Sequence, residues 1–244
     1  MLYKNISAFK QSVGYYIDGI WYPRVTSILS IKAKPGLYAY YASMPSFRAG
    51  KEVTNRSARE GQSIHDTVEA LLKNECPSIP DSIRPSIDAF LEFLRNNDIT
   101  PVKIEERIVS RRHHYAGTID VLAEINGVLG VLDIKTSQAV YREYGMQTAA
   151  YVEALQENPD MPKLASWVLL LDQIQKCVLC NASKRQKGGR VKIKGGTFSC
   201  PHQWTQTQGR YEFTEIKDFD LNIKAFLAAK ELWMWEHKEY LERL

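Results

Sequence analysis

A chain of 244 residues with 44% hydrophobic, 25% charged and 11% aromatic residues can bury a sizeable core, which excludes a disordered or fibrous protein. Its net charge of +4 leans only mildly towards an anionic partner. No run of 18 apolar residues occurs, so no helical membrane span is expected. The opening MLYKNISAFKQS lacks the apolar region of a signal peptide, and the four cysteines do not form a disulfide framework, so a cytoplasmic setting of bacterial or phage type is expected.

Residues 13–22, VGYYIDGIWY, alternate about Asp18-Gly19 and predict a hairpin. Its Tyr15, Tyr16, Trp21 and Tyr22 either stack on bases or bury against the core. A short apolar element follows from Val25 to Leu29, and Pro35-Gly36 precedes a helix over LYAYYASM. From Ser46 to Lys73 the spacing is helical, with Ile64, Val68, Leu71 and Leu72 as its apolar side. Gly61, His65 and Glu69 lie four residues apart on one stripe. A glycine there costs about 1 kcal/mol against alanine, which predicts a close approach by another element or a ligand. Asp81 or Ser82 is expected to cap the next helix, SIRPSIDAFLEFLRNN, and Pro101 opens a strand in which Glu106 points with Val102, Ile104 and Ile108.

The stretch 117–151 reads as strand, Asn126-Gly127 turn, strand and helix. Alternation places Leu129, Val131, Asp133 and Lys135 on one side of the second strand, so two charges follow two apolar residues onto a buried face. Uncompensated, each would cost several kcal/mol. Asp120 comes from the neighbouring strand, and two converging carboxylates repel unless a cation lies between them. Hard oxygen ligands suit Mg²⁺ or Mn²⁺, and the compact Lys135 ammonium suits a phosphate or its attacking water. Gln147 and Tyr151, one helical turn apart, can position a phosphate or base beside that point.

Ala165 to Asp172, ASWVLLLD, is a near-continuous apolar run of strand length and predicts a buried strand of the same sheet. Residues 174–209 are rich in Lys, Arg, Gly and Gln and read as an insertion. Cys177, Cys180, Cys200 and His202 suit a small structural Zn²⁺ ribbon; the alternative is unrelated buried cysteines and a surface histidine. Arg190 and Lys192 belong to a basic hairpin able to contact phosphates. RYEFTEI then predicts a strand, and Asp218 or Asp220 caps a last helix with Phe226, Leu227, Ala229, Leu232, Trp233 and Trp235 on a wide apolar face.

The ordered set Gly61-x3-His65, Glu106, Gly117-x2-Asp120, Asp133-Ile134-Lys135 and Gln147-x3-Tyr151 resembles the PD-(D/E)XK nuclease superfamily and, within it, the RecB-like exonuclease branch. Pro23-x-Val25-Thr26-Ser27-Ile28-Leu29 ahead of the histidine helix is similar to the mitochondrial genome maintenance exonuclease group and its phage and bacterial relatives. The resemblance implies an α/β fold with a restriction-endonuclease-like core, a mixed central sheet flanked by helices, in a single nuclease domain over 1–244. It implies Mg²⁺ or Mn²⁺ held by His65, Asp120, Asp133 and the Ile134 carbonyl, with Lys135 catalytic, Glu106 holding a second metal or its water, and Gln147 and Tyr151 binding substrate. Glu69 is a candidate outer partner for His65. Relatives with an iron–sulfur cluster place one cysteine before the histidine helix; Cys76 lies after it, so no such cluster is expected. The implied activity is exonucleolytic hydrolysis of DNA, preferentially single-stranded, with no membrane partner. Rival readings are a structure-specific or CRISPR-adaptation-type endonuclease, and a catalytically silent nucleic-acid-binding module.

Overall fold

The computed structural model describes residues 3–244. Helix α1 (Ile6–Val13), capped by Asn5, leads into a hairpin of β1 (Gly14–Ile17) and β2 (Ile20–Pro23). Three helices follow, α2 (Val25–Leu29), α3 (Pro35–Ala42) and the 26-residue α4 (Phe47–Leu72), whose cap is the Ser46 hydroxyl accepting from the Ala49 amide. Helix α5 (Arg84–Asn96) precedes the strands β3 (Ile99–Ser110), β4 (Tyr115–Ile125) and β5 (Val128–Lys135). Then come α6 (Arg142–Leu155), β6 (Ala165–Lys176), β7 (Ser183–Lys187), β8 (Arg190–Lys194), β9 (Gln208–Glu215), α7 (Phe219–Glu236) and α8 (Lys238–Leu241).

The central sheet is mixed. β3, β4 and β5 are antiparallel neighbours, β5 and β6 run parallel through the α6 crossover, and β9 returns antiparallel to β6. The far end of β6 leaves this path and pairs through Gln175 and Lys176 with β7, which forms a hairpin with β8. Asp18-Gly19, Asn126-Gly127 and Gly188-Gly189 all take positive φ, as the tight turns of right-twisted hairpins require. Among the described residues no helix is long and apolar enough to cross a membrane.

Helices cover both faces. On one face α1, α2, α6 and α7 pack Phe9, Ile28, Tyr151, Phe226 and Trp233 against Ile119, Leu122 and Val131. On the other, α4 and α5 pack Ile64, Val68, Phe90 and Phe93 against Val121, Ala123, Leu132 and Ile134. Trp21 and Tyr22 are core residues, while Tyr16 is exposed. Several local expectations change. The α5 cap position is Ile83, not Asp81 or Ser82, and makes no side-chain cap bond. Asp218 occupies the cap position of α7, again without such a bond. Trp233 is buried, but Leu232 and Trp235 are exposed, because the α7 contact is narrower than its apolar composition.

Candidate active site

β5 turns its side chains to alternate faces as the alternation predicts. Val131 joins the α6 face and Leu132 and Ile134 the α4 face, so Asp133 looks towards α6. Asp133 is fully buried. Its Oδ1 accepts from Gln147 Nε2 at 3.1 Å, and the same nitrogen lies 2.9 Å from the Tyr151 hydroxyl. Its Oδ2 makes no well-directed hydrogen bond but lies 2.6 Å from Lys135 Nζ. Burial pushes the Asp133 carboxyl up to about 6 against the pull of Lys135. Burial also opposes the Lys135 ammonium, yet Asp133 and Asp120 together outweigh it and raise its pKa.

Asp120 sits where β4 and β5 part. Their ladder ends at Val121–Leu132, and Asp120 Oδ2 takes the Ile134 amide at 2.6 Å in place of a strand partner. Burial raises its pKa, opposed by Lys135 and by that amide. His65, from α4, places Nδ1 3.9 Å from Asp120 Oδ2. Burial, then Lys135, lowers the His65 pKa, which favours the neutral imidazole a metal ligand needs.

Glu105, which sequence reasoning missed, completes this group. Ligand atoms of His65, Glu105 and Asp120 all lie within 4.8 Å of one another, a spacing able to surround one ion. Glu105 has φ +51°. Ile104 packs with the α4 face and Ile108 with the α6 face, so β3 changes sides across Glu105 and simple alternation does not carry through it. Glu105 keeps an exposed edge; partial desolvation, then the Asp120 charge, pushes its carboxyl up to about 7. Glu106 lies outside the group: its Oε1 pairs with Lys103 Nζ at 3.0 Å. Glu69 likewise pairs with Lys73 and not with His65.

The two glycines of the ordered set have steric reasons. A Cβ on Gly61 would stand 2.8 Å from Thr136 Oγ1, so α4 touches the end of β5, the close approach its sequence position predicts. A Cβ on Gly117 would stand 2.5 Å from Tyr151 Cε1. Tyr151 is buried beneath the sheet, so it orients Gln147 and Asp133 from behind and offers no surface to a substrate. Asp133 does not join the His65–Glu105–Asp120 group directly; it meets that group through Lys135 and the Asp120 charge. Ile134 enters through its amide.

Beyond β6, Cys177, Cys180, Cys200 and His202 form a second group able to hold a metal ion. Arg190 and Lys192 stand on the exposed β8, with Arg190 over the Tyr40 ring at 4.6 Å. Neither a scan against protein-family models nor a search of curated proteins returns a match for this chain.

Proposed function

We propose that the protein is a divalent-metal-dependent deoxyribonuclease with a PD-(D/E)XK core of the RecB-like exonuclease kind, acting on single-stranded DNA or free ends. The observation that carries this reading is the fully buried Asp133, with one carboxylate oxygen lacking a directed hydrogen bond, held against Lys135 beside Asp120. The carboxylates of Asp120, Asp133 and Glu105 are hard oxygen donors that suit Mg²⁺ or Mn²⁺, and the neutral His65 imidazole adds a borderline nitrogen that Mn²⁺ accepts more readily than Mg²⁺. His65, Glu105 and Asp120 would hold the ion, and Asp133 would act on it through Lys135 and the Asp120 charge. Such an ion supplies Lewis-acid polarisation of a phosphoryl oxygen and acidifies water.

The chain's own residues do the rest. Lys135 keeps its proton and offers a fixed positive charge where negative charge develops at the phosphorus. Gln147, anchored by Tyr151, holds Asp133 Oδ1 and so fixes which oxygen faces the site. Ile134 donates to Asp120 and holds that carboxylate in the fork between the strands.

End-labelled single- and double-stranded DNA with Mg²⁺ or Mn²⁺, comparing wild type with Lys135→Ala, tests the reading. Stepwise shortening from an end by wild type alone is expected. Internal fragments would point to an endonuclease, and DNA binding without cleavage by either protein would overturn the enzymatic reading.

A further inference from the structure

We infer that Cys177, Cys180, Cys200 and His202 hold a structural zinc ion that roots the β7–β8 hairpin, and that this hairpin clamps the backbone at Thr136, next to Lys135. The zinc half stands alone; the importance of the clamp for catalysis rests on the nuclease reading.

The geometry of the four ligands fits one tetrahedral ion. Cys177 Sγ and Cys200 Sγ are 3.8 Å apart, and Cys180 Sγ is 3.4 Å from His202 Nδ1. Zinc with bonds of about 2.3 Å to sulfur and 2.0–2.1 Å to nitrogen places neighbouring ligands roughly 3.5–3.8 Å apart. A disulfide would need about 2.05 Å. Thiolates with imidazole select zinc over magnesium, so this group and the carboxylate group take different ions. The surroundings hold the ligands in place. Cys177 donates its amide to the Ala182 carbonyl, Asn181 turns the chain at φ +57°, and a Cβ on Gly196 would come within 2.7 Å of Cys180 Sγ. The His202 ring packs on Trp204 at 4.8 Å, and Lys184 covers that indole.

The segment has little else to order it. Between residues 177 and 207 only Cys177, Ala182 and Gly188 are buried, and every residue from 189 to 199 is exposed. A cleft of about 280 Å³, lined by Ser82, Pro85, Gln173, Lys184 and Gln186 among others, keeps the hairpin off α5. A metal crosslink supplies the folding free energy that an absent apolar core cannot.

At its tip the hairpin grips the catalytic layer. The Gly188 amide donates to both Glu60 carboxylate oxygens at 3.0 and 3.1 Å, and its carbonyl accepts from Arg56 Nε at 2.9 Å. Arg185 pairs with the buried Asp172 at 2.5 Å and donates through Nη2 to the Thr136 carbonyl at 3.0 Å; Lys187 donates to the same carbonyl. Thr136 is the first residue past β5, where the ladder no longer holds the backbone. Its hydroxyl side meets Gly61 of α4. The strand end is thus held between α4 and a hairpin whose foot is the metal group.

Metal analysis and hydrogen exchange on the full chain test both halves without DNA. Protein purified without chelator should carry one zinc per chain, and cobalt substitution should give the intense visible bands of a tetrahedral thiolate site. Cys180→Ser should lower zinc occupancy and speed exchange over residues 183–194 and 134–138. Lys187→Ala should retain zinc yet speed exchange over 134–138 by roughly tenfold, the scale of one hydrogen bond. A zinc-free or iron-loaded wild-type protein would overturn the site. Zinc loss that loosens the hairpin but leaves 134–138 unchanged, or a Lys187→Ala protein exchanging like wild type there, would overturn the clamp. Absence of DNA cleavage with these exchange results intact would count against the nuclease reading alone.

Discussion

Glu105 stands opposite Asp120 across the β3–β4 ladder, bracketed by the pairs Ile104–Val121 and Glu106–Ile119. At that point β4 turns over: Ile119 packs under α6 and α7, whereas Val121 packs under α4 and α5. Glu105 takes the left-handed conformation there, at a cost of about 1–3 kcal/mol for a residue with a side chain. The strain falls where three potential ligands meet. Glu105→Gln should weaken Mn²⁺ binding at least about tenfold, the effect of losing a charged ligand contact. Glu106→Gln, which touches only Lys103, should leave it unchanged. Calorimetric titration of the two variants checks this, and equal losses would show that β3 presents the other face.

Asp133→Asn removes a charge that burial already disfavours. An asparagine oxygen can still accept the Gln147 bond, but the buried Lys135 ammonium keeps only Asp120 as its counter-charge, so the metal-free protein should lose about 1–3 kcal/mol yet remain folded. Cleavage should fall by about 10²-fold or more, the scale of losing one preorganised electrostatic group. Parallel thermal melts and single-turnover rates separate the two effects. A large drop in melting temperature with activity retained would make Asp133 a structural residue.

Gly117→Ala should destabilise the fold by about 1–3 kcal/mol, because the new methyl meets the Tyr151 ring and the packed α6 cannot retreat freely. Tyr151→Phe removes only the hydroxyl that Gln147 contacts. It should cost less stability but slow cleavage by loosening Asp133. Denaturant midpoints and rates on both variants would show whether Gly117 acts through that ring.

The pH dependence has a definite sign. Folded Glu105 and Asp133 keep their protons up to about 7 and about 6, while the unfolded chain releases them near its ordinary carboxyl values. The folded state therefore binds more protons from roughly pH 4 to 7, and this contribution to metal-free stability declines as pH rises through that window. A cation must displace the same protons, so Mn²⁺ affinity should climb between pH 5.5 and 8. Glu105→Gln should flatten both trends in melts and titrations.

Much of this arrangement is written locally. Alternation along β5, the Asn126-Gly127 turn and the α4 spacing place Asp133, Lys135, Asp120 and His65 on their elements, because each is a short-range pattern. The Glu105 position is not legible that way, since β3 changes sides between Ile104 and Ile108 and a positive φ leaves no compositional trace in a glutamate. The hold of Arg185 on Asp172 and Thr136 is equally hidden. It depends on where a hairpin lands against an element some fifty positions earlier, which no window of sequence reports. Burial is hidden in the same way: Tyr151 stands one turn from Gln147 as its spacing predicts, yet its ring is buried and reaches Gln147 from behind.

The turnover of β4 makes the site a seam between two cores. His65 is carried by the layer that Ile64, Val68 and Phe90 fill, and Gln147 by the layer that holds Tyr151 and Phe226. The two layers share the sheet, and the carboxylates lie where it switches sides. If the proposed ion binds there, its affinity would act as a strain gauge for the whole molecule: a cavity opened in either layer, far from any donor, would slide one half of the donor set against the other.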